Sequence, residues 1–240
     1  MKRIVYIFLI SFFIAPVSMA MKSGKKDSII VVKTEDFEVK GDGSSVFWDN
    51  ASWNDIPEKV KSEDQLKTKF KVLYSTTGIY FFIYCEDSRI DATYDQDYES
   101  LWLEDVVEVF LWPDQSKKVY FEYELSPLNY ELPLLIMNID GDLNKWQPWN
   151  YKDTGKILHQ TGVKGGQKKS GASIKSWTAE FYIPFSLLEP MQNVPPSSGT
   201  QWRSNLYRMD YLNGIDRSWA WQKVERSFHN LNEYGTLVFE

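Results

Sequence analysis

Short runs in which apolar and polar residues alternate recur along most of this 240-residue chain. In residues 119–125 the odd-numbered positions are apolar or aromatic, and Glu122 and Glu124 stand between them. Residues 177–183 alternate in the same way, with Trp177 opening the apolar set. Successive side chains of a β-strand point to opposite faces, so each run has one face suited to a core. The alternation therefore restricts most of the chain to half-buried strands.

The wider pattern favours a sandwich over a helical or mixed fold. Helical periodicity is weak throughout, and a single helical turn is predicted at residues 184–188, where Pro184 suits a first helical position. Many short strands separated by Gly, Asn, Asp and Pro turns predict an all-β, antiparallel β-sandwich of lectin-like, immunoglobulin-like or jelly-roll architecture. Residues 86–104 and 140–175 lack the alternation and are predicted to be long loops. The predicted strands are residues 29–39, 68–75, 79–85, 106–112, 119–126, 132–139, 176–183, 203–210 and 237–239.

The first twenty residues have the pattern of a secretory signal. Lys2 and Arg3 precede an apolar run at residues 4–17, and Ser18-Met19-Ala20 places small residues at the cleavage-determining positions. The apolar run is short for a bilayer span, and no stop-transfer segment follows it. We therefore expect a signal peptide at 1–20, a flexible leader at 21–28 and one folded domain at 29–240. The protein would then be exported, to the periplasm, the cell surface or the medium.

Composition limits how such a domain is stabilised and what it binds. Cys85 is the only cysteine, so an intramolecular disulfide is impossible and stability has to come from the core. The formal net charge of −6 argues against a nucleic-acid partner. Aromatic residues make up 16% of the chain, which is enough both for core layers and for exposed rings that stack on a ligand.

A series of motifs follows in order along the chain. Gly41-Asp42-Gly43 is a turn ahead of Trp48 and Trp53, and residues 78–84 form a strand leading into Glu86-Asp87. The most specific segment, Trp-x-x-Asp-x-x-Glu-x-Phe, is present as Trp102-Leu103-Glu104-Asp105-Val106-Val107-Glu108-Val109-Phe110. Residues 120–127, 177–184, 202–210 and 227–229 continue the series up to Tyr234-Gly235. In this order the sequence resembles the family 9 carbohydrate-binding modules and the wider family-9-like group of exported proteins, over nearly the whole mature chain.

The resemblance implies a non-catalytic, lectin-like β-sandwich that binds an oligo- or polysaccharide for an exported polysaccharide-utilisation system. The best-known members pinch a sugar at a chain end between two aromatic rings. Trp102 matches the first stacking position, and Phe228 stands at the second, where those members carry Trp. Glu108, Asn205 and Tyr207 match further ligand contacts. Glu122 and Glu124 replace a basic and an amide side chain, and Trp221 is a further candidate near Phe228.

Ordinary structural roles remain open for these residues. Trp102 can equally be a core tryptophan, and Glu108 a solvated carboxylate on an outer face. Trp219 and Trp221, two apart on one strand face, suit core packing for at least one of them. For Arg208 and Asp210 the favoured interpretation is an ion pair that fixes the strand edge.

Calcium is a candidate cofactor, because some members of the group hold it structurally. Residues 86–105 carry eight carboxylates, and dense oxygen ligands suit calcium. Neither 95–106 nor 140–151 completes an EF-hand loop, since the glycine and the final glutamate are missing. The alternative is a solvated acidic loop. The candidate ligands are Asp42, Asp87 and Asp105.

Two other classes of function are weighed against carbohydrate binding. A glycoside hydrolase would use a carboxylate pair drawn from Glu108, Glu122, Glu124 and Glu180, and same-face neighbours about 6.5–7 Å apart reach the spacing of inverting enzymes. A haem-binding sandwich would use Met209 with His229, but no motif supports this pair and no haem is expected. An interaction module without ligand binding also remains open. The sequence contains neither a serine-hydrolase elbow nor a metal-binding histidine cluster.

Overall fold

The structure, a computed structural model, describes residues 27–139, 142–149, 155–189 and 191–240. The predicted signal peptide lies outside these residues, as does the predicted leader up to residue 26. The described residues contain thirteen strands and one short helix. The strands are β1 (Ser28–Lys33), β2 (Asn54–Ile56), β3 (Thr68–Tyr74), β4 (Gly78–Glu86), β5 (Val106–Trp112), β6 (Val119–Leu125), β7 (Glu131–Ile139), β8 (Asp142–Pro148), β9 (Leu158–Lys164), β10 (Ser176–Pro184), β11 (Gln201–Asp210), β12 (Arg217–Ala220) and β13 (Gly235–Phe239), and the helix is α1 (Phe185–Leu188).

The strands form two sheets that share β1. Sheet A has the order β8-β7-β6-β5-β11-β13-β1, with β12 beside β11. Sheet B has the order β1-β3-β4-β10-β9, with β2 beside β3. The first part of β1 pairs in parallel with β13, and Val32 and Lys33 pair in parallel with β3. The β-sandwich prediction is confirmed, but β1 departs from a purely antiparallel arrangement because it crosses from one sheet to the other.

The main core lies between the two sheets, on the faces that the alternation assigns to it. Phe121 and Tyr123 of β6 and Trp177 and Phe181 of β10 all belong to this core. The rings of Tyr123 and Phe181 meet across it with centroids 4.8 Å apart. The helical turn predicted at residues 184–188 is confirmed as α1, which buries Phe185 and Leu188 against the same core.

A segment before β2, residues 34–53, covers the outer face of sheet B. Phe37 stacks on Tyr80 of β4 at 4.2 Å, and Trp48 packs against Phe82. Glu180 of β10 holds the segment in place, because its carboxylate accepts hydrogen bonds from Trp48 Nε1 at 2.8 Å and from the Gly41 amide at 2.7 Å. Glu180, one of the candidates for a catalytic carboxylate pair, is therefore a structural anchor. It also lies on the opposite sheet from Glu108.

A buried ion pair joins the two sheets. The guanidinium of Arg208 on β11 contacts Asp87 Oδ2 at 3.0 Å and Asp210 Oδ2 at 2.7 Å, and it donates to the Glu86 carbonyl at 2.6 Å. Its plane also lies over Trp219, 4.4 Å from the ring centre. Arg208 and Asp210 pair as expected, but the pair is buried and does not lie at an exposed strand edge.

The two predicted loops have different outcomes. Between β4 and β5 the described chain is irregular apart from the short 3-10 turn Leu101–Leu103, in agreement with a loop at 86–104. The loop predicted at 140–175 is wrong, because it contains β8 and β9. Within the described ranges no helix is both long and apolar enough to cross a membrane.

Candidate functional site

A pocket of about 420 Å³ opens on the outer face of sheet A. This volume falls within the range of roughly 300–1,000 Å³ that is typical of small-molecule sites. Three neighbouring strands form its floor, and its walls come from the turn before β5, from β8 and from the segment after β12. The floor residues are Glu108 and Phe110 of β5, Glu122 and Glu124 of β6, and Leu134 and Ile136 of β7.

The register of β5 and β6 brings the three glutamates together. Glu108 is the direct cross-strand partner of Glu124, and Phe110 is the partner of Glu122. Directly opposed side chains on one sheet face have Cβ atoms about 4.5–5.5 Å apart, and like charges in such a pair are destabilising. The floor therefore carries three acids on two neighbouring strands of an otherwise apolar and aromatic surface.

These glutamates are buried without a compensating base. Their exposed fractions are 3% for Glu108, 4% for Glu122 and 1% for Glu124. Burial raises the pKa of Glu108 to about 8, and burial together with the charge of Glu108 raises the pKa of Glu122 and Glu124 well above the usual range. The Oε2 atoms of Glu122 and Glu124 have no hydrogen-bond partner. No lysine or arginine of the described ranges lines the pocket.

The basic group nearest to this cluster is neutral at pH 7. His229 Nδ1 lies 3.9 Å from Glu122 Oε2, and burial lowers the pKa of this imidazole to about 4. The same Nδ1 is hydrogen-bonded to the hydroxyl of Tyr120. His229 therefore adds no positive charge that could hold the carboxyls ionised.

Two tryptophans form one wall of the pocket. Trp102 is partly exposed in the 3-10 turn before β5, and Tyr211 fixes this turn by donating a hydrogen bond of 2.7 Å to the Trp102 carbonyl. Trp146 of β8 is 48% exposed and meets Trp102 edge to face, with centroids 5.7 Å apart. Both rings line the pocket, so an apolar surface stands beside the acidic floor.

The opposite wall is a segment after β12, residues 221–234, which is bound to sheet A by hydrogen bonds. Asn205 Nδ2 donates to the Tyr207 hydroxyl at 2.7 Å and to the Gln222 carbonyl at 3.0 Å. The hydroxyls of Tyr207 and Tyr234 both donate to the Phe228 carbonyl, at 2.9 and 2.8 Å. These contacts position Phe228 and the neighbouring residues against the pocket.

The structure brings five of the eight predicted carbohydrate contacts to this pocket, namely Trp102, Glu108, Glu122, Glu124 and Phe228. It does not bring the other three there. Asn205 and Tyr207 have no exposed surface, because they lie beneath the segment at 221–234 and bind it. Trp221 packs edge to face on Phe70 in the core between the sheets, on the other side of sheet A.

The ring of Phe228 is itself covered. It stacks on Tyr207 with centroids 4.0 Å apart and planes 6° from parallel, and Lys59 Nζ lies over it, 4.9 Å from its centre. A ring at stacking distance occupies one face, so the ammonium of Lys59 lies over the other. Phe228 therefore closes the pocket with its edge, and the exposed ring that accompanies Trp102 is Trp146.

Trp146 and Leu143 line the pocket, and sequence patterns did not identify either of them. A regular strand would point residues three apart to opposite faces. The pairing of β7 with β8 shifts by one residue at Met137 and Asn138, so that Asn144 is extra and Leu143 and Trp146 share a face. The bulge breaks the alternation, so the sequence pattern predicts a loop where β8 forms.

The aspartates predicted to bind calcium do not form a site. Asp87 binds Arg208, and Asp105 accepts hydrogen bonds from the amides of Asp91 at 2.6 Å and Tyr211 at 3.0 Å. Asp42 accepts from the Ser44 amide at 2.9 Å in a separate turn. Among the described residues no group of three or more His, Cys, Asp or Glu is arranged to hold a metal ion. These residues do not fit a calcium ion, so calcium remains a prediction from the resemblance alone.

Met209 and His229, the pair considered for haem, both line the pocket. The Nδ1 atom of His229 is engaged by Tyr120, and the backbone carbonyl of His229 accepts a hydrogen bond of 2.7 Å from Asn138 Nδ2. These contacts give the imidazole a structural role at the edge of the acidic floor.

These features define a β-sandwich domain with a pocket on sheet A whose wall includes Trp102 and Trp146 and whose floor carries Glu108, Glu122 and Glu124. Residues 39–240 match the model of the family described as carbohydrate family 9 binding domain-like. The chain belongs to this family, and the predicted resemblance is confirmed. A comparison with curated protein sequences found no match.

Solved structures share the fold at low sequence identity. A candidate carbohydrate-binding protein from Bacteroides uniformis is 18% identical, with a TM-score of 0.71 over 90% of this chain and 100% of its own. A family 9 carbohydrate-binding module from Caldicellulosiruptor kristjanssonii in complex with cellotriose is 12% identical, with a TM-score of 0.63 over 89% of this chain and 94% of its own. Its complex with glucose gives 13% identity and the same TM-score, over 89% and 96%.

Proposed function

We propose that this protein is a non-catalytic carbohydrate-binding protein that holds a sugar in the pocket on sheet A. The observation that carries the proposal is the exposed pair Trp102 and Trp146 beside buried carboxyls, in a pocket of small-molecule size. Family membership supports it, as do the cellotriose and glucose that a neighbour of the same fold binds.

The two parts of the pocket suit the two kinds of surface on a sugar. The C–H side of a pyranose ring is apolar and packs on a flat indole, which supplies hydrophobic contact. Its hydroxyls need directed hydrogen-bond partners, and carboxyl oxygens accept such bonds. Trp102 and Trp146 therefore provide affinity, while Glu108, Glu122 and Glu124 orient the ring.

The charge state of the floor argues against glycoside hydrolysis. A glycosidase holds one carboxylic acid protonated and a second carboxylate ionised, so the environments of the two must shift their pKa values apart. Here burial raises the pKa of all three glutamates in the same direction. All three acids are thus shifted in the same direction, which does not match the divergent pair that hydrolysis uses.

The proposal extends to export and to a role in polysaccharide utilisation. Its basis is the signal pattern at residues 1–20, together with the family. A protein of this kind would retain a glycan near the cell for enzymes that degrade it. Fractionation of cells that express the full chain tests export, and cleavage after Ala20 is expected at the mature amino terminus.

The binding experiment compares two exposed tryptophans on opposite sheets. A glycan array identifies the ligand, and calorimetry then measures its affinity for the wild type, Trp102→Ala and Trp53→Ala. Trp53 is 39% exposed on the outer face of sheet B, where it contacts Phe82 and Lys69. Loss of the indole platform should weaken binding by Trp102→Ala at least about tenfold, while Trp53→Ala binds normally.

Both variants are first shown to melt cooperatively, so that a lost site is not confused with a lost fold. Normal binding by Trp102→Ala, or a loss of binding confined to Trp53→Ala, would place the sugar elsewhere on the protein. Release of new reducing ends by the wild type but not by Glu108→Gln would instead identify a hydrolase.

A further inference from the structure

The floor of the pocket has an uncompensated acidic cluster that a neutral sugar does not explain. Glu108, Glu122 and Glu124 are at least nineteen-twentieths buried, and the Oε2 atoms of Glu122 and Glu124 lack a hydrogen-bond partner. Buried polar atoms are nearly always paired, because an unpaired one destabilises the folded state. The glutamates that carry these oxygens line the pocket, so a ligand bound there can supply the partners that the protein does not.

We propose that the pocket selects a glycan with a free ammonium group, such as an unacetylated hexosamine, whose positive charge lies among Glu108, Glu122 and Glu124. This inference rests on the proposed function and narrows its ligand class. An ammonium has three donors and a positive charge, so it pairs with the unpartnered oxygens and allows the carboxyls to ionise.

Other cations fit the pocket less well. The described residues hold no group of acids arranged for a metal ion, and a cavity of about 420 Å³ is far larger than a bare ion needs. The walls are aromatic, since Trp102 and Trp146 stand beside the floor. Rings at such a position stabilise an organic cation through their electron-rich faces. Carboxyls and indoles together therefore suit a sugar-sized cation.

A neutral sugar would leave the cluster in its protonated form. Its hydroxyls can accept and donate hydrogen bonds but add no charge, so Glu108 and Glu124 would still face each other as an opposed acidic pair. An ammonium replaces the bound protons, and binding should therefore release protons to solvent.

Burial raises the pKa of all three carboxyls, to about 8 for Glu108, so their protonated forms can lose protons when an ammonium binds. Burial lowers the pKa of His229 to about 4 and raises the pKa of Tyr211 to about 12. The other phenols have a pKa raised well above its usual value. The imidazole and the phenols therefore do not account for proton release near neutral pH, and the double variant described below separates the floor carboxyls from Asp105, whose pKa burial raises to about 7. The titratable and charged groups near the floor include, besides the three glutamates, Tyr120, Tyr207, Tyr211, Tyr234, His229, Lys59 and Asp105.

The test uses three matched probes, the β-1,4-linked trimers of glucosamine, N-acetylglucosamine and glucose, at pH 6, where a sugar amine is protonated. Calorimetry is run with the wild type and with the double variant Glu122→Gln, Glu124→Gln, which keeps the side-chain size. The wild type should bind the glucosamine trimer at least about tenfold more tightly than the other two. The double variant should lose this preference, provided that its melting curve remains cooperative.

Measurements in two buffers of different ionisation enthalpy count the protons. The wild type should release protons on binding the glucosamine trimer, and the double variant should release fewer. A wild type that binds the glucose trimer as tightly as the glucosamine trimer would overturn the inference and leave the proposed function standing. If none of these trimers and no other glycan binds, the proposed function fails as well.

Discussion

At the scale of single residues, buried glutamates have two opposite roles in this protein, as a structural anchor and as part of the candidate site. Glu180 is fully buried, and both of its oxygens are occupied, one by Trp48 Nε1 and the other by the amides of Lys40, Gly41 and Gly43 at 2.7–3.2 Å. Glu122 and Glu124 are almost as buried, yet each has an oxygen without a partner. Hydrogen bonding, more than burial, therefore separates a structural carboxylate from one available to a ligand.

Replacement of Glu180 tests its role as an anchor. Glu180→Leu leaves the Trp48 indole N–H and the Gly41 amide without an acceptor, and each buried orphan costs about 1–3 kcal/mol. We expect the free energy of unfolding to fall by on the order of 2–5 kcal/mol in urea titrations. Glu38→Ala, an exposed glutamate of the same segment, is the control and should change stability by less than about 0.5 kcal/mol. Equal stability of the two variants would contradict the anchoring role.

At the scale of elements, the edge strand β8 determines the second wall of the pocket. Its regular part pairs Trp146 with Ile136 on the pocket face of β7. The extra residue Asn144 then returns Leu143 to the same face, opposite Asn138. A bulge on an edge strand is tolerated because only one side of the strand is paired. The pocket thus gains two apolar side chains from a strand without regular alternation.

Two single-residue deletions in β8 test whether Asn144 is the extra residue of the bulge. Deletion of Asn144 makes the strand regular and keeps Leu143 and Trp146 two apart on the pocket face, so affinity for the glycan should change by less than about threefold. Deletion of Gln147, which pairs regularly with Leu135, turns Trp146 away from the pocket and should weaken binding at least about tenfold. The opposite order of affinities would show that Asn144 is not the extra residue. Thermal melting confirms that both variants are folded.

The whole molecule consists of two sheets, a core between them and a covering segment on each outer face. Residues 34–53 cover sheet B with Phe37 and Trp48, and residues 221–234 cover the part of sheet A that holds Tyr207 and Phe110. The cover on sheet A stops short of the three glutamates, and this gap is the pocket. The candidate binding site is therefore the part of the outer face of sheet A that the described residues leave uncovered.

The acidic floor makes the stability of the whole protein depend on pH. Because burial raises the pKa of Glu108, Glu122 and Glu124, the folded state binds more protons than the unfolded state above pH 4.5, and stability should fall as pH rises toward 8. Well above pH 6.5, the usual pKa of histidine, both histidines are neutral in the folded state, where burial lowers their pKa to about 4, and in the unfolded state, so they do not oppose this trend.

The double variant Glu122→Gln, Glu124→Gln isolates the contribution of the floor glutamates to this pH dependence. Other groups contribute as well, such as Asp105, whose pKa burial raises to about 7. We expect the variant to match the wild type in unfolding free energy near pH 5 and to exceed it by on the order of 1–3 kcal/mol near pH 8.5. Denaturant titrations at the two pH values measure this difference. A wild type that is the more stable protein at pH 8.5 would mean that the carboxyls are held ionised by a group that the described contacts do not include.

The sequence by itself determined the class of fold and the faces of its main strands. Alternation placed Phe121 and Phe181 in the core and Glu122 and Glu124 on the other face, because the period of two is a local property of an extended backbone. The family resemblance carried by the segment from Trp102 to Phe110 also indicated residues of one wall and of the floor of the pocket. Where local geometry governs the outcome, sequence patterns were sufficient.

Only the tertiary structure decided which of these residues meet. Glu108 and Glu124 became neighbours through the pairing of β5 with β6, whereas Glu180, of the same residue type and alternation, lies on the other sheet and binds the segment at 34–53. The bulge in β8 added Trp146, and the segment after β12 buried Asn205 and Tyr207. Cross-strand register and covering segments join residues that are far apart in the chain, so no local pattern records them.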